Sequence, residues 1–358
     1  MSVLPILSQV FDRVIKARLV GFLDANKVLI PGQYGFRSGH STAMAVLDMV
    51  EKIRKAWFQK KVALGVFLDL KKAFDTVDHK ILLAKLDHYG VRGQTLELMR
   101  SYLDGRSQYV SYAASQSKRG PVECGVPQGS VLGPLFFLLY VNDMVKACGD
   151  LELILFADNT NVFAEASNPS ELFKRVNKGL KVLSICFKCN KLTLNLKKTE
   201  FINFGGPGQA AVPREVIRIG DEPIRQVQGV RFLGVWIDEG LKWTAYIEKI
   251  KNKVNQLLGV IGRVRTSLGG RAILSQYNGL VLPHLQYCLI VWGDFQGDRN
   301  KTGSGDLLRL QKRFVGMAAG ATSRYHADPL FARYGMLKLE DLYRQQLRIH
   351  GWQFWNGH

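Results

Sequence analysis

Apolar residues recur along this chain at two spacings, and the switch between them outlines its organisation. Residues 6–23 carry Ile6, Val10, Phe11, Val14 and Ile15 at helical spacing. Residues 32–42 are turn-rich and include Arg37 and His40; Ser41 or Thr42 can cap a helix over 43–57. Residues 62–68 are apolar throughout, which predicts a strand buried on both faces. Helices over 79–89 and 95–103 are stopped by Gly90 and Gly105. Residues 109–112 and 121–124 read as paired strands. The apolar helix over 131–142 has Pro134 in its first turn, where a missing N–H is tolerated. Strands over 151–156 and 161–166 enclose a very short loop with Asp158-Asn159 at its tip. An amphipathic helix over 172–187 and strands over 201–204 and 232–237 follow. Beyond about residue 243 strand signals give way to helices, the first with Ile247, Ile250, Val254, Leu257, Leu258 and Ile261 on one face and Lys249, Lys251 and Lys253 elsewhere. The predicted organisation is a domain over 1–242 and a helical region over 243–358. Gly205-Gly206-Pro207-Gly208 reads as a flexible loop and residues 297–305 as a polar linker.

Composition narrows the partners. The 358 residues suffice for two domains, and 47% hydrophobic with 22% charged residues is ordinary for a globular core. The formal net charge of +19 is not ordinary and favours a polyanionic partner, nucleic acid before an anionic membrane surface. No membrane span is expected, because the most apolar run, 131–141, contains Pro134 and is about half the ~20 residues a spanning helix needs. Asp12 and Arg13 interrupt the first apolar run too early for a secretory signal. Cys186 and Cys189 form one CxxC, with no second pair at zinc-ligand spacing. A reducing intracellular location, nuclear or cytoplasmic, fits this cysteine usage.

Two carboxylates carry the candidate chemistry. Asp69 ends the buried strand Val66-Phe67-Leu68, and Asp158 follows Ile154-Leu155-Phe156-Ala157. Taken singly, each reads more readily as turn chemistry than as a functional group. Taken together, on neighbouring strands of one sheet, they converge, and convergent carboxylates hold hard cations such as Mg²⁺ through oxygen. Paired ions of this kind serve phosphoryl transfer. Between the two strands, Gly125-Val126-Pro127-Gln128-Gly129 to Pro134 permits close backbone approach to a ligand, and Gln128 offers both a donor and an acceptor. A plain strand-to-helix turn is the alternative for this segment.

FLDLKKAFDTVDH (residues 67–79), GVPQGSVLGPLFFLLYVND (125–143) and FADN (156–159) stand in the order and spacing of reverse transcriptase palm motifs. QYGFRSGHST (33–42), NKLTLNLKKTE (190–200) and FLGVWID (232–238) extend the match. Together they resemble the reverse transcriptase of a non-LTR, LINE-type retrotransposon, and residues 282–293 resemble the region beyond the polymerase in the same elements. The resemblance implies an α+β right-hand polymerase of fingers, palm and thumb, with an antiparallel palm sheet and a helical C-terminal region. It implies an RNA-directed DNA polymerase that adds deoxynucleotides to a DNA primer on an RNA template with Mg²⁺ or Mn²⁺. Asp69, the Leu70 carbonyl and Asp158 would hold the metals, and Phe74 would exclude a ribose 2′-hydroxyl. Gln128 and Arg37 would line the nucleotide and template site, Lys198 would act on the pyrophosphate, and residues 232–237 would hold the primer end. Surface or core roles remain the alternatives for Arg37, Phe74 and Lys198.

The departures from the family pattern matter as much. Asn159 stands where the family carries a second Asp, and loses a charge there. An Asp-Trp pair expected near Ile185-Cys186, a His near Tyr246 and an Arg just upstream of Met1-Ser2-Val3 are missing. The resemblance therefore implies a piece of a longer element protein, without the endonuclease and the start of the fingers. A catalytically inactive nucleic-acid-binding remnant is the alternative function.

Overall fold

The computed structural model describes residues 5–113, 115–149, 151–206, 215–265, 267, 269–293, 304–321 and 325–355. Residues 207–208 of the expected glycine loop, residues 297–303 of the expected linker and Met1-Ser2-Val3 lie outside the described residues. Two compact units emerge: Met1–Ser41 with Ile53–Val227, and Thr42–Lys52 with Gln228–His358. The division falls before residue 242 because the 229–238 segment packs with the helix that follows it.

The first unit is built on a five-stranded sheet of β1 (Val62–Leu68), β2 (Glu152–Phe156), β3 (Asn159–Ala166), β4 (Glu200–Phe204) and β5 (Arg225–Gln226), in the order β5-β4-β1-β3-β2. β1 lies at the centre with all seven residues buried, which is why its sequence is apolar without alternation. It runs antiparallel to both neighbours, Phe67 facing Glu200 on β4 and Asn161 on β3. The amphipathic helix Pro169–Cys189 packs Leu172, Phe173, Val176, Leu180 and Leu183 into this core. Phe173 meets Phe201 of β4 edge-on at 6.4 Å. The helix begins with Pro169 after Asn168, whose side chain accepts from the Ser170 N–H at 3.0 Å. Gly179 allows its close seat, since a Cβ there would stand 2.0 Å from a Leu151 methyl.

Among the helices of this unit are Ile6–Ala25, His79–His88 and Gly133–Val141. Every residue of the third except Pro134 is buried, as its uniformly apolar sequence requires. Its Tyr140 hydroxyl donates to the Asn190 carbonyl at 2.7 Å and accepts from the Asp78 N–H at 3.3 Å. Asp78 in turn caps the His79–His88 helix through the Ile81 N–H at 3.0 Å. Asp12, the charge that interrupts the first apolar run, is buried and accepts from the Val131 N–H and the Tyr102 hydroxyl, both at 3.2 Å. The expected pairing of 109–112 with 121–124 is replaced by two short ladders, Ser107–Gln108 with Gly120–Pro121 and Ser111–Tyr112 with Ser115–Gln116. Their side chains are largely exposed, so no buried face fixed the register from sequence.

In the second unit, the strand expected over 232–237 is a hairpin of β6 (Gly229–Phe232) and β7 (Val235–Asp238). Leu233 and Gly234 both take positive φ, the requirement of a tight two-residue turn. Asp238 accepts from the N–H groups of Gly240, Lys242 and Trp243, leading the chain into the helix Thr244–Val264. That helix buries Ile247, Ile250, Val254, Leu258 and Ile261, five of the six positions read as its apolar face. Ser304 and Gly305, placed by sequence in a linker, start the helix Ser304–Ala318 instead. Buried Gln311 ties this helix to its neighbours, donating to the Tyr277 hydroxyl at 2.8 Å and accepting from the Leu339 N–H at 2.8 Å. Among the described residues no helix is long and apolar enough to cross a membrane.

Tyr140→Phe removes one hydroxyl with two backbone partners, and is expected to lower the unfolding free energy by about 1–3 kcal/mol in urea titration. Burial pushes the Tyr140 phenol up to about 12, so the deficit should be the same at neutral and mildly alkaline pH.

Candidate active site

The register of the sheet brings the two carboxylates together. Leu68 pairs with Thr160, and because β1 and β3 are antiparallel, the residue after β1 and the residue before β3 stand at one end of the sheet. These residues are Asp69 and Asp158. Phe156 pairs with Asn159, so the hairpin tip is Ala157-Asp158 rather than Asp158-Asn159. Asn159 is the first residue of β3 and its side chain is exposed. Both aspartates are half-buried. Burial raises the Asp158 carboxyl above its ordinary range, and the charge of Asp69 raises it further. A half-buried carboxylate with a second carboxylate beside it is a fit for a cation.

Asp69 and the turn that carries Asp158 are each supported from a distant segment. Asn195 donates its side-chain amide to Asp69 Oδ2 at 2.8 Å and its backbone N–H to the Asp69 carbonyl at 2.8 Å. The next residue, Leu70, pairs with Leu194 in a two-residue ladder and buries its side chain. Asn195 therefore sits across from Asp69 because the 193–194 strand is zipped to the 70–71 strand. Lys198 closes the turn that follows, its N–H donating to the Asn195 carbonyl at 3.0 Å and its side chain exposed.

At the hairpin tip, Ala157 takes φ +55°, a conformation costing an L-residue roughly 1–2 kcal/mol. Gln33 holds it there. Its Oε1 accepts from the Ala157 N–H at 3.2 Å and the Gly35 N–H at 2.8 Å. The surrounding loop lies along the outer edge of β2: the Tyr34 N–H donates to the Leu155 carbonyl and the Leu155 N–H to the Gly32 carbonyl, both at 2.8 Å. This approach needs glycine at 35, where a Cβ would stand 2.4 Å from the Ala157 nitrogen. Arg37 turns back into the same loop, donating to the carbonyls of Ile30 at 2.8 Å and Gln33 at 3.2 Å. Burial lowers its pKa, and the charge of Asp24 opposes that shift.

Phe74 and Gln128 stand on two segments joined to each other. Phe74 lies in the short 3₁₀ turn Ala73–Thr76, stacks on Phe137 at 4.5 Å and meets Phe36 edge-on at 6.2 Å. Phe36 is 52% exposed, so the three rings run from surface to core. The Val126 N–H donates to the Phe74 carbonyl at 2.8 Å and the Gly125 N–H to the Val77 carbonyl at 2.7 Å. Gly125 has φ +85°, and a Cβ there would meet the Asp75 backbone at 2.8 Å. Exposed Gln128 donates to Asp75 Oδ1 at 2.7 Å. Residues 232–237 belong to the second unit. Gln33, Asn195 and Asp75 are the residues that sequence reading did not single out. They lie inside or beside recognisable motifs, but only hydrogen bonds to distant segments mark them. Among the described residues no group of three or more His, Cys, Asp or Glu is placed to hold a metal.

A raised carboxylate pKa makes the native state weaker as the group ionises. Its stabilising influence is complete below the unfolded-state pKa and is lost as pH rises through the raised folded value. Asp158→Asn should therefore raise the thermal midpoint in metal-free buffer at neutral pH, and the gain should disappear at acid pH. A gain that persists unchanged at acid pH would show that ionisation of Asp158 is not its source.

Residues 1–237 match the sequence profile of the reverse transcriptase (RNA-dependent DNA polymerase) family. The chain is 29% identical over 306 residues to the probable RNA-directed DNA polymerase from transposon X-element of Drosophila melanogaster, covering 82% of this chain and 32% of that protein. It is 28% identical over 309 residues to the RNA-directed DNA polymerase from mobile element jockey of the same organism, again covering 82% and 32%. A putative 115 kDa protein in the type-1 retrotransposable element R1DM matches at 26% over 298 residues, 80% of this chain and 28% of that one. The chain thus spans about a third of the length of the curated relatives it matches. The solved telomerase from Candida albicans, in complex with a TWJ fragment of telomeric RNA, aligns with a TM-score of 0.46 and 13% identity over 93% of this chain and 59% of that one. The relatives agree with the non-LTR retrotransposon resemblance of the motifs, and with more than half its length matched, the chain belongs to the reverse transcriptase (RNA-dependent DNA polymerase) family.

Proposed function

We propose that this chain is the core of an RNA-directed DNA polymerase that adds deoxynucleotides to a DNA primer 3′-end, with an RNA template as guide. The observation that carries this reading is the approach of Asp69 and Asp158 at one end of the sheet, with Asn195 bonded to Asp69 and Gln33 bonded to the backbone beside Asp158. The formal charge of +19 suits a polyanionic substrate. In this reading Asp69, the Leu70 carbonyl and Asp158 hold Mg²⁺ or Mn²⁺. A bound divalent cation supplies charge stabilisation to the phosphoryl oxygens and makes the attacking hydroxyl more acidic. The bond formed joins the primer 3′-oxygen to the α-phosphorus, and the bond broken releases pyrophosphate, whose charge Lys198 offsets.

The other residues take positioning roles. Phe74, backed by Phe137, presents a ring that cannot retreat and so excludes a 2′-hydroxyl. Gln128, held by Asp75, lines the nucleotide and template site from the 125–129 turn. Arg37 acts through the loop whose carbonyls it binds, keeping Gln33 against the hairpin tip. Residues 232–237 hold the primer end, and the helices of the second unit form the thumb.

Asn159 favours a second reading, a nucleic-acid-binding protein without turnover. Asn keeps an oxygen at that position but not the charge. Three measurements separate the two. Mn²⁺ should raise the thermal midpoint of the chain and leave that of the Asp69→Asn/Asp158→Asn variant unmoved. Asn159→Asp should speed primer extension by about tenfold or more, equivalent to ~1.4 kcal/mol off the barrier; equal rates would sink the assigned importance of this position. Phe74→Val should raise incorporation of ribonucleotides relative to deoxynucleotides, whereas a purely structural Phe74 would lower both together. Template binding without extension, even by the Asn159→Asp variant, would establish the second reading.

A further inference from the structure

The second unit contains an open cleft of about 600 Å³ whose walls are cationic. Arg309, Lys312 and Arg313 stand three and four residues apart on the helix Ser304–Ala318 and so share one face. The opposite face of the same helix buries Leu307, Phe314 and Val315, which fixes which way the cations point. His326 and Tyr325 close the other side of the cleft. Tyr325 is held rather than loose. Its hydroxyl donates to the Lys312 carbonyl at 2.7 Å, and it packs on Gly316, where a Cβ would fall within 2.0 Å of that hydroxyl. The residue nevertheless keeps 37% of its surface exposed.

The charges in the cleft are unevenly engaged. Its one carboxylate, Asp328, is paired with Lys338 at 2.9 Å. Arg309 is paired with Asp306 at 2.8 Å, and Asp306 also pairs with Lys251 at 3.1 Å. Neither Lys312 nor Arg313 forms an ion pair among the described residues, and both are exposed. A guanidinium fork beside an ammonium matches a phosphate, and a fixed aromatic face beside them matches an unpaired base.

We propose that this cleft is a binding site for a single-stranded nucleic-acid segment, separate from the carboxylate site of the first unit. A phosphodiester sits on Lys312 and Arg313, and a flanking base lies on the Tyr325 ring. Neither the family match, which ends at residue 237, nor the carboxylate chemistry assigns anything to these residues.

The test is fluorescence anisotropy of the full chain with labelled, unstructured RNA and DNA 20-mers, without nucleotides or metal, across a salt series. No turnover is required, so failure here is distinct from failure of primer extension. Lys312→Ala/Arg313→Ala should reduce the slope of log affinity against log salt by about 1.4, the value for two lost single-strand phosphate contacts. Lys80→Ala/Arg92→Ala, an equal loss of exposed charge on the first unit, serves as the control for net charge. Tyr325→Leu should weaken binding about tenfold, while Tyr325→Phe, which keeps the ring and loses only the hydroxyl bond, should retain it. A slope change with RNA, with DNA or with both supports the site and identifies the strand it takes. A Lys312→Ala/Arg313→Ala slope no lower than that of the Lys80→Ala/Arg92→Ala control, or equal binding by Tyr325→Leu and wild type, would overturn the proposal. Circular dichroism melting of each variant separates lost binding from lost fold.

Discussion

The antiparallel pairing of β1 with β3 is the constraint on which the candidate site depends. With Leu68 opposite Thr160, Asp69 and Asp158 leave their strands at the same end of the sheet. A shift of one residue in that register would turn the side chains of one strand over relative to the other and put the carboxylates out of step. The register is protected by burial: all seven residues of β1 are inside, and β4 binds its other edge. Apolar packing, which has no stake in the chemistry, thus holds two like charges close together.

That closeness works against stability, and the surrounding segments offset it locally. Asn195 reaches Asp69 from a segment 126 residues away in sequence, and Gln33 reaches the Ala157 N–H across 124 residues. Both are side-chain amides, which supply hydrogen bonds without adding charge. Gly35 and Gly125 remove the methyl groups that would keep the 32–35 loop off the hairpin tip and the 125–128 turn off Asp75. Strain at Ala157, a raised carboxyl at Asp158 and close glycine contacts all occur within this one region, the pattern expected where geometry serves chemistry rather than stability.

The second unit has a different character. Its core includes helix faces, Ile247 to Ile261 on one helix and Leu307, Phe314 and Val315 on another, and the buried amide of Gln311 ties the second of these to Tyr277 and Leu339. Cations are left on the outward faces, and at Arg309, Lys312 and Arg313 they meet a fixed tyrosine.

Much of this was legible in the residues themselves. The uninterrupted apolar run 62–68, the proline-started helix ending in Tyr140-Val141 and the apolar face of the helix after Trp243 are local signals, and each element formed where its pattern placed it. The order and spacing of the motifs identified the family, because several short patterns in register are far more restrictive than any one of them. Where no buried face constrained pairing, as in the exposed ladders of 107–121, the sequence reading missed the partners. It also merged the hairpin of 229–238 into one strand, since Leu233 carries no sign of its positive φ. The turn at Ala157-Asp158, the hold of Asn195 on Asp69, the inward turn of Arg37 and the cleft at Lys312 and Arg313 were decided by tertiary structure alone. The first two depend on contacts between segments far apart in sequence, and the last two on how a loop or a helix pair turns back on itself; periodicity along a chain records which face a residue occupies, not which group it meets.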